Sequence, residues 1–121
     1  MTTSGSLPDP QDLLPLTPAV FHILLALADG EKHGYAIMRE VEEATDGGVR
    51  MGPGTLYGSL DRMLKSALIE ESHQPAAADP ADKRRRYYRL SDFGRRLLRA
   101  ETARLTEAVR RARAKRIFSQ A

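Results

Sequence analysis

Three apolar stripes, each too short to hold a helix in water by itself, dictate how the first half of this chain folds. The first begins after Thr17-Pro18, a hydroxyl N-cap followed by proline at the first helical position. Val20, Phe21, Leu24, Leu25, Leu27 and Ala28 follow at helical spacing, and Asp29-Gly30 closes the segment. The second opens at His33-Gly34, carries Ile37, Met38, Val41 and Ala44, and stops at Asp46-Gly47-Gly48. The third runs from Pro53 to about Ser66, with Leu56, Leu60, Met63, Leu64 and Ala67 on one face. Isolated helices below ~12–15 residues are marginal. The three stripes must therefore close on one another as a trihelical core.

The second half changes period. Residues 68–72, "LIEES", read as a short strand, residues 75–82, "PAAADPAD", as a loop, and residues 84–90, "RRRYYRL", as a returning strand. Ser91 then caps a last helix that runs almost to the C-terminus. The expected fold is mainly α with a two-stranded β-wing: a winged helix-turn-helix followed by a long C-terminal dimerisation helix. Residues 1–15 are expected to form a flexible tail from which Leu13 and Leu14, with the adjoining Leu16, dock on the domain. Residues 16–90 are expected to form the winged helix-turn-helix unit and residues 91–121 the terminal helix.

Charge is divided along the chain. Residues 1–82 hold 5 Lys/Arg against 13 Asp/Glu, whereas residues 83–121 hold 14 against 3. A basic block this dense suits a polyanionic partner better than a small substrate. There is no cysteine, which accords with a reducing cytoplasm. No apolar run reaches membrane length and none resembles a signal peptide, so no membrane partner is expected.

With the apolar stripe of the third helix facing the core, its opposite face presents Gly54, Thr55, Gly58, Asp61, Arg62 and Lys65, with Tyr57 and Ser59 at its two edges. That face is thin at its N-terminal half and cationic further on. The DNA major groove, about 12 Å wide, admits a helix. Amide N–H groups at a helix start can meet a phosphate. Thr55 and Ser59 are candidates for base edges or phosphates, Arg62 for guanine or phosphate, and Tyr57 for a phosphate through its hydroxyl.

On the returning strand, alternation puts Arg85, Tyr87 and Arg89 on one face and Arg86, Tyr88 and Leu90 on the other, with Leu90 marking the inward side. Lys83, Arg84, Arg85 and Arg86 then cluster where a wing meets phosphates or a minor groove. On the last helix, Leu98, Thr102, Leu105, Val109 and Ala112 recur at alternating spacings of four and three, a short seam for a second copy. With one threonine and one alanine, it calls for extra contacts from the first helix or the tail.

Enzyme chemistry is not expected. His22, His33 and His73 sit on different elements without metal-ligand spacing, and "GPGTLYG" lacks the lysine and spacing of a phosphate loop. No nucleophile, base and orienting acid can be assembled, and no cofactor is expected. Two other readings compete with operator recognition. A winged helix used as a protein-interaction module would show weak, salt-sensitive DNA affinity and no site preference. A nonspecific binder would show a steep salt slope without site preference.

Four segments resemble the PadR family of winged-helix transcriptional regulators: "HGYAI" (33–37), "GTLYGSLDRM" (54–63), "LIEE" (68–71) and "RRYYRLSDFGRRLL" (85–98). The resemblance spans about residues 16–100 and rests on the order and spacing of the segments together. It implies a homodimer whose third helix reads a palindromic operator while the wing contacts the flanking backbone or minor groove. It also implies a C-terminal dimerisation helix that, with the first helix, shapes a site for a small aromatic or hydrophobic effector. Family members typically repress genes for detoxification, phenolic acid metabolism or drug efflux. By motif position, His33 and Tyr35 would lie near DNA, and Gly54, Thr55 and Tyr57 would open the recognition helix. Three positions depart from the pattern: Gly52 replaces a capping serine, Ala67 replaces a glycine before the strand, and Leu64 replaces an acidic residue. The short C-terminal segment matches the family's smaller branch, which has a single terminal helix.

Overall fold

The computed structural model describes residues 7–72 and 86–117. Pro10–Leu13 form a single 3-10 turn capped by Asp9, whose carboxylate accepts from the Gln11 amide at 3.0 Å. Helix α1 spans Pro18–Ala26, strand β1 Lys32–His33, α2 Gly34–Ala44 and α3 Pro53–Lys65. Strand β2 is Ile69–Ser72, β3 is Tyr87–Leu90, and α4 covers Asp92–Ala114.

Two helix starts follow from side-chain capping. The Thr17 hydroxyl accepts from the Val20 amide at 3.2 Å, and the Ser91 hydroxyl accepts from the Gly94 amide at 2.9 Å. Helix α1 is apolar on nearly every side because it packs between α2 and α4. Its Ile23, Leu24 and Leu27 meet Ile37 and Val41 of α2, Leu56 and Leu60 of α3, and Leu97 of α4 in one core. The turn between α2 and α3 is held by Thr45. Its hydroxyl donates to the Val41 carbonyl at 2.8 Å and accepts from the Val49 amide at 2.9 Å.

The sheet has three antiparallel strands in the order β1-β3-β2, not the two expected. Lys32 pairs with Tyr88 and His33 with Tyr87. A two-residue strand is too short to show an alternation of its own, so only the pairing reveals it. It also corrects the expected exposure of Tyr87: the ring is 7% exposed because His33 meets it edge to face at 5.5 Å.

Ala67, which stands where the family pattern has glycine, still forms a left-handed cap. Ala67 has φ 64°, its amide donates to the Leu64 carbonyl at 3.1 Å, and the Leu68 amide donates to the Met63 carbonyl at 2.9 Å. This is the double bond of a Schellman motif, built on alanine. Asp46 (φ 53°) and Arg116 (φ 63°) end α2 and α4 in the same way.

The N-terminal segment docks on α4. Leu14 and Leu16 are half-buried against the core, while Leu13 stays exposed. The Leu16 amide donates to Glu101 Oε2 at 2.9 Å. Phe93, Leu97 and Leu98 bury the first turns of α4 in the same core as α1 to α3.

Candidate nucleic-acid interface

Helix α3 is fixed by Leu56 and Leu60, both 0% exposed, and by Met63. Its N-cap Gly52 is extended, with φ −74° and ψ 168°, and has no side chain to bond the first amides. A Cβ added at Gly54 would meet nothing within 4 Å, so this end of the helix is a bare backbone surface. Gly54, Thr55, Asp61, Arg62 and Lys65 are exposed on the outward face, and Gly58 is half-buried. A Cβ on Gly58 would lie 3.5 Å from Arg62 Nη1, because the arginine lies back along the helix. Arg62 Nη2 also donates to the Ser59 hydroxyl at 3.3 Å.

Ser59 departs from its expected place at the edge of the outward face. It is 5% exposed. The helical period puts Ser59 and Tyr57 about equally far from the centre of the apolar stripe. Arg62 closes over the small serine, whereas the long tyrosine reaches past the core and stays 42% exposed.

Tyr57 rests on the start of α2. A Cβ at Gly34 would fall 2.5 Å from the Tyr57 hydroxyl oxygen and 2.7 Å from Cζ. Glycine at position 34 therefore sets how closely α2 and α3 meet beside the outward face. His33 performs the N-cap of α2: Nδ1 accepts from the Ala36 amide at 3.1 Å. Tyr35 is 51% exposed, and the Arg39 guanidinium lies 5.9 Å from its ring centroid. A neighbouring hollow brings His33, Tyr35 and Arg39 together with Glu40 and Glu43, whose carboxylates disfavour a phosphate there.

Of the basic wing residues, Arg86 is described and exposed, whereas Lys83, Arg84 and Arg85 lie outside the described residues. Arg86 Nε and Nη2 donate to the two Glu71 carboxylate oxygens, both at 3.0 Å, and Arg89 Nε donates to Glu70 at 3.1 Å. The bond from Arg86 holds the Glu71 carboxyl below its usual range against a smaller opposing effect of burial. Burial pushes the Tyr88 hydroxyl up. The sequence pattern does not single out Gly34 or Glu71. A glycine inside the first turn of a helix is the available signal for the former. The latter needs the strand register.

The expected seam divides. Leu98 is 7% exposed and belongs to the domain's own core. Thr102, Leu105 and Val109 are exposed, and Ala112 is half-buried. Leu25 of α1, 44% exposed, joins Leu98, Thr102, Ala103, Arg95 and Arg99 in lining a groove of about 520 Å³.

Among the described residues, no helix is long and apolar enough to cross a membrane. The sequence matches the model of the Transcriptional regulator PadR-like family over residues 23–100. It is 33% identical over 89 residues to transcriptional regulator Rv3488 of Mycobacterium tuberculosis, covering 74% of this chain and 77% of that protein. It is 39% identical over 79 residues to a 37.1 kDa protein in a transposon of Streptomyces fradiae, covering 65% of this chain but only 20% of the relative's length. A structure of RosR from H. salinarum is similar with TM-score 0.61 and 30% identity, over 89% of this chain and 94% of that one. Bacillus subtilis PadR in complex with operator DNA is similar in fold, with TM-score 0.55 and 22% identity, over 71% of this chain and 46% of that one.

Proposed function

Because the chain belongs to the PadR-like family of transcriptional regulators, we propose that it acts as a homodimeric repressor of a palindromic operator, working in the cytoplasm and released by a small aromatic or hydrophobic effector. The observation that carries this reading is the outward face of α3. Its N-terminal half is backbone and Thr55, its C-terminal half carries Arg62 and Lys65 beside a single carboxylate, Asp61, and no side chain of Gly52 or Gly54 stands before it. Such a helix can sink into the major groove with its first amides on a phosphate and Thr55 and Arg62 at base edges. Lys83, Arg84, Arg85 and Arg86 would then meet the flanking backbone, which sets position and salt dependence but not sequence.

A second copy suits the exposed stripe of Thr102, Leu105 and Val109, which continues outward from the domain beside Leu25. In the dimer the two α3 helices would address half-sites one helical turn, about 34–36 Å, or a multiple apart. The groove between α1 and α4, at about 520 Å³, falls within the ordinary size range of small-molecule sites. An effector there would lie against the same helices that join the dimer, so binding it would alter the spacing of the two α3 helices.

Selection of binding sites from random duplexes tests the reading. The expected result is enrichment of an inverted repeat with turn-matched half-sites. Uniform retention with a steep salt slope would favour nonspecific binding instead, and weak, salt-sensitive retention without site preference a protein-interaction role.

A further inference from the structure

The inward face of the β2–β3 hairpin ends on a charged pair, Glu71 and Arg86. The register sets Ile69 opposite Leu90 and Glu71 opposite Tyr88, and Arg86 stands two residues before Tyr88. These five side chains therefore share one face of the sheet. Ile69, Leu90 and Tyr88 enter the core, whereas Glu71 and Arg86 lie beyond its edge, each side chain about half exposed. The Arg86 guanidinium is held on two sides. Its Nε and Nη2 donate to Glu71 at 3.0 Å each, and its Cζ lies 5.6 Å from the centroid of the buried Tyr88 ring. Strand β2, which carries Glu71, packs against α3, and the Asp61 carboxylate of that helix adds a small long-range attraction to this guanidinium. An exposed ion pair adds little to stability. What a two-point grip of this kind does supply is a fixed direction for the donors that remain.

We propose that Glu71 is a positioning residue for DNA binding: it fixes Arg86 so that the remaining N–H edge grips a backbone phosphate flanking the groove that α3 enters. The proposal rests on the reading of α3 as a DNA-binding helix. A flexible arginine must be ordered when DNA arrives, whereas this one is ordered beforehand. The other role open to a carboxylate in this place is neutralisation, in which Glu71 cancels the arginine and repels phosphate. The two roles predict opposite signs when the carboxylate is removed.

The test is an anisotropy titration of the full-length protein against a duplex carrying the selected site, at several salt concentrations, with a thermal melt of each variant. Arg86→Ala is expected to weaken binding about tenfold and to lower the salt slope by about one. Glu71→Gln is expected to weaken binding by about three- to tenfold although it removes a negative charge from the DNA side. That loss should vanish when Arg86 is already alanine. Glu70→Gln is the control, because its partner Arg89 lies on the other face, and it should bind at least as well as the wild type. Equal or tighter binding by Glu71→Gln overturns the proposal in favour of neutralisation. Equal losses from Glu70→Gln and Glu71→Gln overturn it in favour of a general effect on the hairpin, as does a large fall in melting temperature restricted to Glu71→Gln. A wild type that binds no duplex overturns the DNA reading itself, and this proposal with it.

Discussion

The Tyr57 ring lies across the backbone of Gly34, so close that a methyl group on that glycine would sit 2.5 Å from the phenolic oxygen. The clash is with the far end of a half-exposed side chain, which can swing away. Gly34→Ala is therefore expected to cost less than about 1 kcal/mol in stability, near the low end for overpacking. It should nonetheless displace Tyr57 from the side of the surface proposed to face DNA. Urea unfolding and operator titration together check this: near-normal stability with weakened binding is expected, and Tyr57→Ala in the same chain should add no further loss.

Gly94 faces the opposite situation. A Cβ there would come to 1.9 Å from the Leu68 carbonyl oxygen and 2.9 Å from its carbon, both backbone atoms. Relief requires moving the start of α4 away from the sheet, where Ser91 N donates to that same carbonyl at 3.2 Å. Gly94→Ala should cost about 3 kcal/mol or more. A calorimetric melt should show a fall of more than about 10 °C.

Ala67 holds a left-handed conformation that costs an L-residue about 1–2 kcal/mol. Ala67→Gly removes that strain but adds freedom to the unfolded chain, leaving an expected net gain of about 0.5–1 kcal/mol. The urea midpoint should rise with its slope unchanged.

The helices are legible in the sequence because their signals are local. Leu56, Leu60 and Met63 declare a buried stripe, and Thr17 and Ser91 declare caps, whatever surrounds them. The features that escape depend on contacts distant in sequence. Alternation in β3 turns Tyr87 outward, and only the pairing of His33 beside it explains its burial. The helical period leaves Ser59 and Tyr57 equivalent, and side-chain length decides which is covered. Gly34 and Gly94 carry no side chain to announce a role; each is read from the neighbour it admits. The cap at Ala67 is signalled only by the glycine the family pattern has there, since alanine itself is a poor choice for the conformation it adopts.

Glu101 is 2% exposed, and it joins the N-terminal segment to α4 through the Leu16 amide at 2.9 Å. The hydrogen bond from Arg104 holds its carboxyl below the usual 4.5, burial opposes this, and the Leu16 amide adds to the lowering. A depressed folded pKa means that the contribution is present above the unfolded value and is lost as pH falls through the folded one. The Leu16 amide resonance should therefore shift with a midpoint below 4.5. Glu101→Gln should abolish that transition and reduce protection of the Leu16 amide at neutral pH. Unchanged protection of the Leu16 amide in Glu101→Gln would contradict the docking role.

The central claim is that the outward face of α3 reads sequence. The most direct measurement is the ratio of affinities for the selected operator and a scrambled duplex, compared among the wild type, Thr55→Ala and Arg62→Ala at one salt concentration. A direct base contact contributes about 1–3 kcal/mol of discrimination, so at least one substitution should reduce the ratio about fivefold or more. If both variants keep the wild-type ratio while binding every duplex more weakly, α3 contacts only the backbone and does not read the operator.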